Sequence, residues 1–131
     1  MLHLDTSTVV AHLRGDKQVG KKIQENLDQI AIDSLVLAEL LYGAGISARA
    51  TENLAQVRGF RSLVQLVAFD ERAAEEYGEL RAKLRREGKQ TGETDALIAS
   101  VALAHGATLV THNVRHFENI EGLSIEDWVA G

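Results

Sequence analysis

The chain reads as an α/β protein with a three-layer α/β/α fold, its central parallel sheet of four or five short strands flanked by helices. Three observations predict this. Short apolar runs alternate with stretches of helical periodicity, which implies a parallel sheet covered on both faces. Several of those runs stop at a polar residue that can cap the next helix. Pro is absent, so Gly supplies most of the punctuation. Crossovers between such strands should be right-handed.

Leu2-His3-Leu4 reads as a first strand that stops at Asp5, and the segment Thr6 to Arg14 follows as a helix closed by Gly15. A second helix is expected over Val19 to Leu27. Gln29 to Ile32 reads as a strand leading into Asp33-Ser34, with Ser34 as N-cap of the apolar helix Leu35 to Tyr42. Gly43 and Gly45 should end that helix. A further helix is predicted over Ala48 to Phe60, then a third strand over Val64 to Phe69. Asp70 caps a long helix in which Ala73, Tyr77, Leu80 and Leu84 recur at helical spacing, and Gly88 closes it. A small-residue helix runs from about Thr94 to Ala104. Thr108 to Thr111 is read as a buried strand, and Leu123-Ser124-Ile125 as a short last one.

The 131 residues fit one domain, 1–131, and suffice to bury a core without staples. Cys is absent, which excludes a disulfide scaffold, a thiolate zinc site and a cysteine nucleophile. The start, Met1 to Asp5, has no basic lead or long apolar region, and no run approaches the length of a membrane helix. A soluble cytoplasmic protein without membrane association is the expectation. The formal charge is −5, from 14 Lys and Arg against 19 Asp and Glu. Nucleic-acid binders are usually basic, so this balance weighs against one, although a local basic patch suffices for phosphate contacts.

Ligands of open α/β sheets bind beyond the carboxyl ends of the strands. Asp5 ends the first strand, Asp95 lies in the first turn of the small-residue helix, and Asn113 follows the Thr108 to Thr111 strand. Glu39 is the lone charge in the apolar run Leu35 to Tyr42, where burying a carboxylate is costly unless it is paired or binds a metal. Singly, each has an ordinary structural role: Asp5 as a cap, Asp95 as a helix-dipole charge, Glu39 paired with a cation, Asn113 as a loop residue. Jointly, three acids and an amide oxygen converge on one edge. Like charges so close repel, and a hard divalent cation, Mg2+ or Mn2+, relieves that.

At these residues the sequence resembles the PIN-domain ribonucleases, and among them the VapC-type toxins of type II toxin–antitoxin pairs. The resemblance rests on Leu4-Asp5-Thr6-Ser7, on Leu37 to Ala44, on Gly92-Glu93-Thr94-Asp95-Ala96-Leu97-Ile98-Ala99 and on Thr108 to Phe117, with a similar ending from Ile120 to Trp128. It spans essentially the whole chain in order. It implies a PIN-like fold, metal-binding acids at Asp5, Glu39 and Asp95, and a fourth site position at Asn113, where many PIN domains have Asp. Thr6, Ser7 and Thr111 match polar positions that orient the site. His116 departs from the family, whose members often carry an acid there; Glu118 and Glu121 are the nearby acids. The implied activity is metal-assisted hydrolysis of RNA, tRNA being the favoured substrate, inhibiting translation and growth until a cognate VapB-type antitoxin binds. The resemblance also implies a homodimer, with the helix from Leu35 and the segment after Gly45 as contact surfaces.

The five histidines, His3, His12, His105, His112 and His116, show no paired metal-ligand spacing on a helix and read as structural or surface residues. Arg85, Arg86, Lys89 and Arg115 are the candidates for RNA phosphates, whereas Arg81 and Lys83 read as a solvated helix face. With few aromatic residues, recognition of RNA shape and backbone fits better than base stacking. A phosphotransfer receiver would need adjacent acids near the first strand, a haloacid-dehalogenase-like phosphatase a second Asp where Ser7 stands, and a dinucleotide-binding domain a Gly-rich turn. The alternative that survives is a PIN-like module that binds RNA or protein with weakened catalysis, to which Asn113 and His116 give weight.

Overall fold

A computed structural model describes residues 1–129. Its strands are β1 (Leu2–Leu4), β2 (Ile30–Asp33), β3 (Gln65–Val67), β4 (Thr108–Val110) and β5 (Ser124–Glu126). The sheet order is β3-β2-β1-β4-β5 and every pairing is parallel. The helices are α1 (Thr6–Leu13), α2 (Lys17–Glu25), α3 (Ser34–Gly45), α4 (Ala50–Leu63), α5 (Glu71–Arg86), α6 (Glu93–Ala104) and α7 (Val114–Phe117), and they flank the sheet on both faces. No helix is long and apolar enough to cross a membrane.

β1 lies centrally, between β2 and β4, and its His3 and Leu4 are buried. Leu4, Ile30, Ile32, Leu109 and Val110 form the sheet's contribution to the core. α6 is small enough to pack almost wholly inside: Ala96, Ile98, Ala99, Val101 and Ala102 are all buried, and Ser100 satisfies its hydroxyl on the Ala96 carbonyl at 2.6 Å. The helix placing Asp95 is therefore fixed by burial rather than by surface propensity. In the middle of β1, His3 is buried and held near a pKa of about 4, first by desolvation and then by the charges of His105 and the amino terminus. It is a core residue.

Several boundaries differ from the expectation. α2 stops at Glu25, and Leu27–Gln29 form a separate 3-10 turn. β2 begins at Ile30 and extends through Asp33, whose carboxylate accepts from the Val36 N–H at 2.7 Å. Asp33, not Ser34, is thus the N-cap of α3. That helix continues through Gly43 to Gly45, because neither glycine takes a positive φ. Gly15 (φ 95°) and Gly88 (φ 68°) do, and they close α1 and α5 as expected. The short helix α7 carries too little periodicity to be read from sequence.

Candidate active site

The site lies beyond the carboxyl ends of β1, β2 and β4. Because Leu4 pairs with Val110, the residues after both strands emerge side by side. Asp5, only 4% exposed, accepts a hydrogen bond on Oδ2 from the Thr111 hydroxyl at 2.7 Å. The Ser7 hydroxyl lies 3.3 Å from the same oxygen, and the His112 N–H donates to Ser7 Oγ at 3.1 Å. Thr111 Oγ1 in turn accepts from the Asn113 N–H at 3.0 Å. One network thus ties Asp5, Ser7, Thr111 and Asn113 together across more than 100 residues of chain.

The side chain of Asp5 makes no capping bond to α1, whereas those of Asp16, Asp33 and Asp70 cap their helices. Its carboxylate is therefore not held by capping. Asn113 likewise makes no side-chain cap to α7. Asp95 does sit in the first turn of α6, but its Oδ2 also approaches His116 Nδ1 at 3.3 Å. A Cβ on Gly92 would come within 3.2 Å of that oxygen, so glycine leaves it room.

Glu39 corrects the premise from which it was nominated. It is exposed, because only the face of α3 carrying Val36, Leu40 and Ala44 is buried. It forms no ion pair among the described residues; Thr6 donates to its Oε1 at 2.5 Å. The buried acid that sequence reasoning missed is Asp33, 2% exposed. Its signal was present: Ile30-Ala31-Ile32-Asp33 repeats the strand-then-acid pattern of Leu2-His3-Leu4-Asp5.

The electrostatics tie the acids together. Burial lifts the Asp33 carboxyl to about 7, and the charges of Asp5 and Glu39 add to that rise against two backbone hydrogen bonds. Asp95 is also raised, chiefly by desolvation; the His116 ring opposes the rise and Asp5 adds to it. His116, though exposed, thus acts directly on Asp95.

Among the described residues no three His, Asp or Glu side chains already form a metal cage. The donor set still suits a hard cation. Mg2+ keeps several waters and uses one or two carboxylates together with substrate phosphate, so an all-protein cage is not required. Asp5 and Asp95 supply such oxygens, and their mutual field is what a cation would neutralise.

A groove of about 1020 Å3 opens beside Asp95 and His116 and is lined by Arg81, Arg85, Lys89 and Arg115. Arg81, expected to be merely solvated, therefore belongs to it. Arg86 does not: it lines a separate groove with Glu71, Glu75, Glu79 and Lys83. Glu121, one of the acids near His116 in sequence, pairs with Lys83 at 2.6 Å.

The PIN domain family model matches residues 2–123. A relative named tRNA(fMet)-specific endonuclease VapC, from Salmonella typhimurium, is 38% identical over 126 residues, covering 95% of this chain and 96% of that protein. Ribonuclease VapC2 of Rickettsia felis is 42% identical over 99 residues, covering 76% of this chain and 74% of its own. The fold matches the crystal structure of DNA-bound VapBC from Salmonella typhimurium with a TM-score of 0.93 at 38% identity, covering 97% of each chain.

Proposed function

This chain belongs to the PIN-domain family, and from that premise we propose that it is the toxin of a type II toxin–antitoxin pair: a VapC-type, divalent-metal-dependent endoribonuclease with tRNA as its favoured substrate. The observation that carries the reading is the cluster of acids Asp5, Asp33, Glu39 and Asp95, in which Asp5 and Glu39 raise Asp33 and Asp5 raises Asp95. Perturbed carboxylates gathered in this way mark a candidate functional site, and a hard cation relieves their mutual repulsion.

In this reading Asp5 and Asp95 hold Mg2+ or Mn2+, Glu39 acts through water or orients the nucleophile, and Asn113 completes the edge. Thr111 and Ser7 keep Asp5 in one orientation, and Thr6 does the same for Glu39. When bound, the cation lowers the pKa of a water and neutralises charge developing on the phosphate. Arg85, Lys89 and Arg115 meet RNA phosphates. The name of the Salmonella relative makes initiator tRNA the first substrate to try.

A VapB-type antitoxin is the proposed partner, since the structural match is to a VapBC complex. A homodimer is also proposed, because Tyr42 and Ile46, 70% and 68% exposed at the end of α3, present apolar surface where the sequence expected contact.

The test is incubation of the antitoxin-free protein with total tRNA and Mg2+ or Mn2+, with cuts mapped by primer extension. Discrete cleavage that EDTA abolishes is expected. Folded protein that leaves both tRNA and ribosomal RNA intact would replace this reading with a binding-only module, the role that Asn113 and His116 favour.

A further inference from the structure

The acids lie between two grooves of unlike character. On the Asp95 side, the groove of Arg81, Arg85, Lys89 and Arg115 contains one carboxylate, Asp95 itself. On the Glu39 side is a smaller groove of about 340 Å3, with Thr6, Leu13, Leu40 and Val57 in its walls and Arg14 as its only cation, beside Glu39.

The basic groove is built, not scattered. Arg81 and Arg85 stand one turn apart on the same face of α5, about 6 Å along its axis. Arg81 is preorganised: its guanidinium lies 5.6 Å from the Tyr77 ring centroid and donates to the Tyr77 hydroxyl at 3.1 Å. Lys89 keeps a loose partner, Glu87 at 3.7 Å, and among the described residues no carboxylate pairs with Arg81, Arg85 or Arg115. Other cations of α5 are spent elsewhere: Lys83 on Glu121, and Arg86 among the acids of a different groove. The free positive charge near the site is thus concentrated on one side, four cations against the single Arg14 in the groove on the Glu39 side.

Resting on the ribonuclease reading above, we infer that the enzyme grips its RNA on one flank of the scissile bond only. Successive phosphates of a single-stranded flank meet Arg115, Lys89, Arg85 and Arg81, and the flank over Thr6 and Glu39 makes no phosphate contacts. Arg81, which sequence reasoning set aside, becomes a binding residue for the phosphate farthest along α5.

The experiment uses the antitoxin-free Asp5→Asn protein and a fluorescein-labelled fragment of the cleaved tRNA spanning its mapped cut, read by fluorescence anisotropy. Contacts to four phosphates of a single strand give a slope of log affinity against log salt of about −2.8, so binding weakens roughly 50-fold between 50 and 200 mM salt. Arg81→Ala is expected to bring the slope to about −2.1. Arg14→Ala is expected to leave it unchanged. Neutral methylphosphonate linkages on the gripped flank should each cost about fivefold near 0.1 M salt, and those on the other flank less than twofold. In Arg81→Ala one of those costs should vanish, an outcome that a purely structural role for Arg81 does not produce.

Equal costs on both flanks, or an unchanged slope in Arg81→Ala, would overturn the one-sided grip while leaving ribonuclease activity standing. So would a groove that serves the antitoxin alone, seen as weakened antitoxin binding in Arg81→Ala with RNA affinity intact. Failure to find any cut RNA would instead remove the reading on which the inference rests.

Discussion

Replacing Asp5 by Asn is expected to lower RNA cleavage at least about a thousandfold, some 4 kcal/mol of barrier at 1.36 kcal/mol per tenfold, with the fold intact. The substitution is nearly isosteric. An amide oxygen at this position still accepts from Thr111, whose hydroxyl sits 2.7 Å from Asp5 Oδ2, and the backbone N–H still reaches the Val110 carbonyl at 2.9 Å. No helix cap is lost, because this carboxylate caps nothing. What disappears is the charge at the centre of the acid cluster. Thr111→Val provides the graded comparison: it removes the donor to Asp5 and strands the Asn113 N–H, and should weaken Mn2+ binding about 10- to 100-fold rather than abolish it. Single-turnover cleavage with Mn2+ titration measures both. An Asp5→Asn protein that retained a tenth of the activity would move the metal site elsewhere.

The fold was legible because its signals are redundant. Each central strand is a short apolar run ending in a polar residue, and the face of α5 repeats Ala73, Tyr77, Leu80 and Leu84. Boundaries failed where two local solutions compete: Asp33 and Ser34 are both good caps, and only the register pairing Asp33 with Val67 keeps Asp33 in the strand. The site was partly legible. Asp5 and Asp95 were nominated from their places at strand and helix ends, and the structure brings them within electrostatic reach of each other. Glu39 was found by a burial argument that the structure overturns, since a helix with one buried face leaves it exposed. Arg81 and Arg86 could not be sorted from sequence. They lie on one helix, and which of them shares a groove with Asp95 depends on how α5 packs on α6. The contact of His116, an exposed residue as expected, with Asp95 was not legible for a similar reason: it spans two elements, and one of them, α7, was not predicted.

Asp33→Asn should stabilise the metal-free protein, and the gain should grow with pH. The native carboxyl titrates near 7, whereas in the unfolded chain it titrates near its ordinary 3.8. Between those values the folded state holds the proton that the unfolded state has released, so stability falls as pH rises through this window. The cost is absent below it and complete above about 7, where it is on the order of 4 kcal/mol. This is opposite in sign to a salt-bridged Asp, because burial and the charges of Asp5 and Glu39 act against ionisation. Asn can still accept from the Val36 N–H, so the α3 cap survives the change. Thermal melts should show wild type and variant together at pH 4 and the variant higher by roughly 15 °C at pH 8. Adding Mn2+ should close the gap from the wild-type side, since a cation neutralises the same field. A gap that ignored both pH and Mn2+ would mean that Asp33 acts only as a cap. A gap that follows both would mean that the fold tolerates a destabilising buried acid at the sheet edge because the site needs that negative field to draw in its cation.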